Sequence, residues 1–259
     1  MLLQVQQVSV AYPVRGSRPF FAVRDISFDV AAGESFGIVG ESGCGKTSLA
    51  KAVMGLLQPA SGRILFEGQE VSCLKGDAFK GYRRSVQMIF QDAVGSLNPR
   101  QTVLQMLEEV LRVHQMRPEG AIRPRVMELL ELVGLPPDVL QAYPRELSGG
   151  QCQRVSIARC LALEPRLIIA DEPVSALDVS VQARILNLIR ALQRELNLAV
   201  LLISHDLAVV RNICDRVCVM VQGVVIEHGS AIEVMDQPRQ AYTKTLLAAV
   251  PDVGRALKP

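Results

Sequence analysis

Residues 35–47 constrain this chain more than any other stretch. Ser35-Phe36-Gly37-Ile38-Val39 is a short apolar run that stops at Gly40, and Gly40-Glu41-Ser42-Gly43-Cys44-Gly45-Lys46-Thr47 follows it. The run reads as a strand buried on both faces, and the eight residues after it fit the phosphate-loop pattern G-x-x-x-x-G-K-[ST]. Glycines let successive backbone N–H groups turn inward around phosphate oxygens, and the helix behind them presents the positive end of its dipole. Lys46 is then the group that reaches the β- and γ-phosphates, and the Thr47 hydroxyl is a ligand for Mg²⁺. A plain glycine-rich strand–helix turn is the alternative. The context favours a nucleotide, because an apolar strand precedes the motif and a helix is expected from Thr47 to about Leu57, closed by Pro59.

The rest of the chain is read around that element. Leu3–Tyr12 and Ala22–Val30 alternate apolar and polar residues, as edge-like antiparallel strands joined by the 13–19 loop would. Gly62–Glu70 reads as a hairpin arm, and Val86–Phe90 as a further central strand. From about Pro99 to Leu163 the apolar spacing is helical, with Thr102–His114 and Ile122–Val133 as two helices and a third starting near Gly150. Strands and helices then alternate: Leu167–Ala170, Val181–Leu196, Ala199–Ile203, and Val217–Val221 with Val224–Glu227 across a Gln222-Gly223 turn. The alternation predicts an α/β class with a mixed, mainly parallel sheet, an antiparallel β subdomain and an inserted helical subdomain. The expected division is 1–95 with 164–235 as the core and antiparallel parts, 96–163 as the helical part, and 236–259 as a short helical tail.

Composition excludes several classes. Of 259 residues 49% are hydrophobic and 21% charged, which describes a soluble globular chain. The formal charge of +2 offers no broad field for nucleic acid. No apolar run approaches the roughly 20 residues needed to span a bilayer, and the start lacks the pattern of a signal peptide. The six cysteines suit a reducing compartment. Cys214 and Cys218, read as one helical turn apart, are better taken as packed thiols than as half of a zinc set.

A second motif adds chemistry. Leu167-Ile168-Ile169-Ala170-Asp171-Glu172 is an apolar strand ending in two acids, which are costly to bury unless paired or set near a cation. Beside a phosphate loop, Asp171 suits the magnesium shell and Glu172 suits a base that polarises water for attack on the γ-phosphate. Leu147-Ser148-Gly149-Gly150-Gln151 then places a serine and two glycines ahead of a helix, a second anion-binding end.

Taken together and in this order, the phosphate loop, Leu-Ser-Gly-Gly-Gln and the Asp-Glu strand resemble the ATP-binding cassette (ABC) ATPases. The resemblance extends from about residue 3 to 250. It implies that Gln91 in Phe90-Gln91-Asp92 contacts Mg²⁺ and senses a transmembrane partner, that His205 in Ser204-His205-Asp206 is the switch near the γ-phosphate, and that Tyr12 stacks on adenine. It implies ATP contacts at Gly40, Glu41, Ser42, Gly43, Cys44, Gly45, Lys46, Thr47 and Ser48, and Mg²⁺ at Thr47, Gln91 and Asp171. Catalysis would fall to Glu172, His205, Lys46 and Gln91. Two such subunits would pair head to tail, with Ser148, Gly149, Gly150, Gln151 and Asp178 of one capping the ATP of the other. Each motif also has a plain structural reading: Ser-His-Asp as a helix start, Tyr12 as a core aromatic.

Narrower cues resemble the nickel and peptide importer group. Residues 90–100 are close to its FQDPxxSLNPR, with Ala93 where proline is usual, and residues 171–183 match its DEPVSALDVSxQA. Residues 241–251 are close to its C-terminal HPYTxxLLxAxP, with Gln240 and Ala241 in place of His-Pro. The short tail and residues 83–92 look most like the second ATPase subunit of nickel importers, with a dipeptide or oligopeptide importer subunit as the alternative and a soluble non-transport ABC ATPase as a further one. The resemblance implies a partner ATPase (a heterodimer), two transmembrane permease subunits and, indirectly, a substrate-binding protein. It implies no nucleic acid, and a place on the cytoplasmic face of the inner or plasma membrane.

Overall fold

A computed structural model describes residues 1–16 and 18–248; the end of the expected tail, 249–259, lies outside the described residues. The chain divides by contact into one unit of residues 1–73 with 201 onward and another of residues 74–200.

In the first unit, β1 (Leu3–Tyr12), β2 (Phe20–Val30), β4 (Ser61–Phe66) and β5 (Gln69–Glu70) form an antiparallel sheet in the order β2-β1-β4-β5. β1 is therefore flanked on both sides, where its alternation had suggested an edge strand. Its register is broken by a bulge at Gln7, whose φ is 52°. The bulge brings the Gln7 carbonyl so close to Gly62 that a Cβ there would lie 2.2 Å from it. The second layer centres on β3 (Ser35–Val39), buried at every position, as a strand covered on both faces must be. It pairs in parallel with β9 (Arg216–Val221), Phe36 opposite Arg216 and Val39 opposite Val219. β8 (Ala199–Ser204) lies on its other side, and β10 (Val224–Ser230) turns back onto β9 through Gln222 and Gly223, both at positive φ. Phe28 of β2 stacks on Phe36 at 4.9 Å between ring centroids, with the Arg216 guanidinium over the same ring.

The helix after the glycine loop, α1 (Lys46–Val53), is shorter than expected. Gly55 takes φ +67°, and the Leu56 N–H turns back to the Lys51 carbonyl, which closes the helix before Leu57. α8 (Leu207–Ile213) ends at Cys214, whose backbone is extended, while Cys218 lies within β9. The two thiols are thus not one helical turn apart. Both are buried, and no His/Cys/Asp/Glu cluster suited to a metal exists among the described residues. α9 (Ala231–Asp236) and α10 (Ala241–Ala248) follow β10.

The second unit opens with α2 (Gly76–Ser85), which sequence periodicity missed because Tyr82 is its one buried residue. β6 (Val86–Ile89) is a terminal strand bonded in parallel to β7 (Leu167–Asp171), where a central one was expected. Between them lie α3 (Ala93–Ser96), α4 (Val103–Val113), α5 (Glu119–Leu132) and α6 (Gly149–Leu161). α4 starts in a capping box: the Gln105 N–H donates to the Thr102 hydroxyl and the Thr102 N–H to the Gln105 side chain. It buries Val103, Met106, Leu107 and Leu111, one stripe at helical spacing. α7 (Val179–Glu195) completes the unit with Ile185, Leu186, Ile189 and Leu192 buried. Among the described residues no helix is long and apolar enough to cross a membrane.

Candidate functional site

The phosphate loop leaves β3 at Gly40 (φ +156°) and turns through Gly43 (φ +82°) and Gly45 (φ +108°) into α1. Two of these glycines are needed because backbone passes too close for a side chain. A Cβ on Gly40 would lie 2.2 Å from the Met220 carbonyl, and one on Gly45 would lie 2.1 Å from the Ala22 carbonyl. Gly43 differs, since a Cβ there would meet nothing within 4 Å. The loop is braced from β2 and the β9–β10 turn: Gly223 donates its N–H to the Cys44 carbonyl at 2.9 Å, and Arg24 donates to the Gly223 carbonyl at 2.7 Å.

Lys46 is 5% exposed, and its ammonium donates to the carbonyls of Gly40 (2.7 Å) and Glu41 (2.9 Å). That holds a positive charge against the inner face of the loop. Gly45, at the cap position of α1, has no side chain with which to satisfy the first-turn N–H groups. A fixed cation, an uncapped helix start and a glycine open to solvent together fit a bound phosphate chain. Burial pushes the Cys44 thiol above its ordinary pKa, and neighbouring Lys46 offsets that only in part. Cys44 therefore packs as a small apolar residue.

Around the loop, the Tyr12 hydroxyl lies 3.1 Å from that of Ser48, so the half-buried ring stands beside the start of α1. Ser42 and Thr47 are exposed. His205 is exposed at the turn from β8 to α8. Its neighbours build that turn: Asp206 caps α8, accepting from Ala208 N and Val209 N, and Ser204 accepts from Asp206 N at 2.9 Å. Ser204 and Asp206 thus do the structural work of a helix start.

In the second unit, β7 is buried throughout and ends in Asp171, 6% exposed. Glu172 follows with φ 46°, a left-handed conformation costly for a side-chain-bearing residue and typical of functional sites. Its carbonyl accepts from the Ser175 N–H and hydroxyl, which holds the turn. Gln91, at the end of β6, donates from its carboxamide to the Glu172 carboxylate at 3.4 Å. The parallel β6–β7 pairing, Ile89 opposite Ala170, is what brings these two side chains to one strand end.

Ser148 caps α6 in a second capping box: Gln151 N donates to its hydroxyl at 3.3 Å, and Ser148 N donates to the Gln151 side chain at 2.9 Å. Gln151 is thereby turned back onto its own helix. Gly149 and Gly150 pack against Leu177 and Val181, where a Cβ on Gly150 would lie 2.6 Å from a Val181 methyl. Asp178, exposed at the start of α7, sits between those two contacts, so the serine–glycine helix start and the Asp178 turn are neighbours. The supports supplied by Ala22 and Gly223 were not legible in the motif. The Gln222-Gly223 turn was visible as a hairpin, but its bond to Cys44 had no sequence signal.

A glycine-walled phosphate loop carrying a buried lysine, set between a fully buried strand and a helix, defines a P-loop nucleoside triphosphatase. The family model "ABC transporter" matches residues 23–175, and the chain belongs to that family and is an ABC-type ATPase. It is 44% identical over 260 residues to the oligopeptide transport ATP-binding protein OppF of Haemophilus influenzae, covering 97% of this chain and 78% of that protein. It is 46% identical over 256 residues to the glutathione import ATP-binding protein GsiA of Pectobacterium atrosepticum, covering 96% of this chain and 41% of GsiA. Among solved structures, cbiO1 from Clostridium perfringens, part of the ABC transporter complex cbiONQ, superposes with a TM-score of 0.81 at 30% identity, over 98% of each chain. The cassette MJ0796, a dimer in a post-hydrolysis state bound to ADP and Pi, gives 0.79 at 28%, over 88% of this chain and 98% of that one. The ABC ATPase fold expected from sequence is the fold found.

Proposed function

We propose that this chain is the ATP-hydrolysing subunit of a multi-subunit importer whose cargo is a peptide. One observation carries the cargo: similarity at 44% identity, over 97% of this chain, to ATP-binding proteins named for oligopeptide transport. A relative named for import of glutathione, itself a small peptide, points the same way. Of the two cargoes suggested by the sequence cues, the peptide is therefore favoured and nickel is not.

The family's roles carry over residue by residue. Residues 40–48 bind the triphosphate, with Lys46 on its terminal phosphates and Tyr12 against the base. Thr47, Gln91 and Asp171 hold Mg²⁺, which when bound neutralises charge on the phosphate oxygens. Glu172 accepts a proton from the attacking water, and the Gln91 carboxamide beside it at 3.4 Å orients it. His205 senses the γ-phosphate. Ser148, Gly149, Gly150, Gln151 and Asp178 serve the nucleotide of a partner ATPase, and the dimeric cassettes of known structure support such pairing. Residues 96–163 form the helical subdomain that two membrane permeases engage at the cytoplasmic face, fed by a binding protein. The test is co-reconstitution with two permeases and a binding protein of an oligopeptide importer, and in parallel with those of a nickel importer. Peptide-loaded binding protein should stimulate ATP hydrolysis. Stimulation by nickel-loaded protein, with none by peptide, would overturn the cargo.

A further inference from the structure

One cluster in the first unit has no part in the roles above. Glu227 of β10 is 8% exposed, and its carboxylate accepts from three donors on one short stretch: Arg239 N at 2.7 Å, Gln240 N at 3.2 Å and the Thr243 hydroxyl at 2.6 Å. Thr243 is fully buried. A buried carboxylate is costly unless its oxygens are satisfied, so Glu227 and residues 239–243 require each other. Burial pushes its pKa up, and the three hydrogen bonds with the Arg239 charge more than reverse that, holding the group ionised.

This clamp fixes the first turn of α10, and with it Tyr242. The Tyr242 hydroxyl accepts a hydrogen bond from the backbone N–H of Glu41 at 3.4 Å and also engages the Glu41 side chain. Glu41 is the residue after Gly40 in the phosphate loop, and its carbonyl takes one of the Lys46 ammonium bonds. A continuous line of contacts therefore runs from a buried acid on β10, through α10, to the loop segment that holds the lysine. That segment, Glu41 to Gly43, is exposed, and a Cβ on Gly43 would meet nothing within 4 Å.

We infer that Tyr242 is a positioning residue for the phosphate loop, holding Glu41 in its nucleotide-binding conformation because Glu227 and Thr243 hold Tyr242. The inference rests on the ATP site proposed above. A loop fixed in advance loses less freedom when it closes on phosphate, so the hydroxyl acts on affinity. It also gives residues 239–243, which lie beyond the family match at 23–175, a part in the ATP site.

The test uses the full chain with Mg²⁺ and ATP, and reads ATP affinity, KM and kcat, and melting temperature without nucleotide. Tyr242→Phe should weaken ATP binding about three- to tenfold, the scale of one lost hydrogen bond. The loss should fall on KM rather than kcat, with melting unchanged. Thr243→Val should weaken binding by a similar factor in the wild-type chain and by nothing further in the Tyr242→Phe background. Wild-type affinity in Tyr242→Phe overturns the inference, as do losses that multiply in the double variant. If Thr243→Val fails to fold, Tyr242→Phe alone decides. Lys46→Ala separates the two readings: it should abolish binding, and wild-type affinity in that variant would sink the ATP site itself. Abolished binding there, with Tyr242→Phe indistinguishable from wild type, would sink the brace alone.

Discussion

Gly45 and Gly43 differ by two positions and both have positive φ, yet alanine at each should have a different consequence. At Gly43 the backbone is left-handed (φ +82°) and a Cβ meets nothing within 4 Å. The cost is then conformational, about 1–2 kcal/mol. At Gly45 (φ +108°) that penalty is joined by a collision, because the Cβ would lie 2.1 Å from the Ala22 carbonyl oxygen and 3.2 Å from its carbon. Backbone cannot step aside as a side-chain tip can, and β2 is fixed in register by β1, with Val23 opposite Val10. Overpacking of this kind costs about 1–3 kcal/mol, which brings the total for Gly45→Ala to roughly 2–5 kcal/mol. For a chain of this size, 1 kcal/mol shifts the melting temperature by about 2–4 °C. Gly43→Ala should therefore lower it by about 2–8 °C, and Gly45→Ala by at least twice as much. Nucleotide affinity should separate them further. Gly43 faces open space where phosphate is expected, so its alanine variant should lose more in affinity than in stability. Calorimetric melting and equilibrium ATP binding on both variants check this. Equal melting shifts would show that β2 does not clamp the loop, and the steric account of Gly45 would be wrong.

Two further outcomes follow from the acids. Glu172→Gln should retain ATP binding while turnover falls by roughly 10²–10⁴-fold, the scale for losing a general base; normal steady-state phosphate release would remove Glu172 from that role. Glu227 has a pKa held below its ordinary value of about 4.5, so its contribution is complete above that value and is lost as pH falls through the lower folded one. Glu227→Gln should cost about 1.5–3 kcal/mol, the scale of hydrogen bonds to a charged group. The melting difference from wild type should stay constant from about pH 8 to 5 and shrink below about 4.5; a difference that grew on acidification would contradict the clamp.

What was legible in the sequence was what is local. The phosphate loop's own demands, glycines, lysine and threonine in one run, fall within residues 40–47, because a phosphate chain is held by consecutive backbone groups. The buried strands 35–39 and 167–171 announced themselves by unbroken apolar composition. The helix starts read at Thr102 and near Gly150 are local too, because the capping boxes the structure shows at Thr102 and Ser148 close within three residues. Features made by distant pairing were misread or missed. β1 reads as half-buried whether it has one neighbour or two, since alternation reports which face is buried and says nothing about a second hydrogen-bonded edge. Cys214 and Cys218 have helical spacing, but the helix ends at Ile213, ahead of both, and spacing alone cannot see the break.

The same division applies inside the site. Ala22 and Gly223 carry no motif of their own, since they act through the backbone. Tyr242 falls in the C-terminal 241–251 pattern, but that pattern does not reveal that its hydroxyl meets the loop. Each reaches a different residue of the loop: Ala22 crowds Gly45, Gly223 bonds Cys44, and Tyr242 accepts from Glu41. A sequence whose glycine loop was intact but whose β2, β9–β10 turn or α10 had drifted would still match the phosphate pattern. It would lose the walls that make the loop rigid, and with them the preorganisation that turns a run of N–H groups into an anion site. On the proposed ATP site, the motif therefore names the atoms that meet the phosphates, and the distant supports set how rigidly those atoms are held.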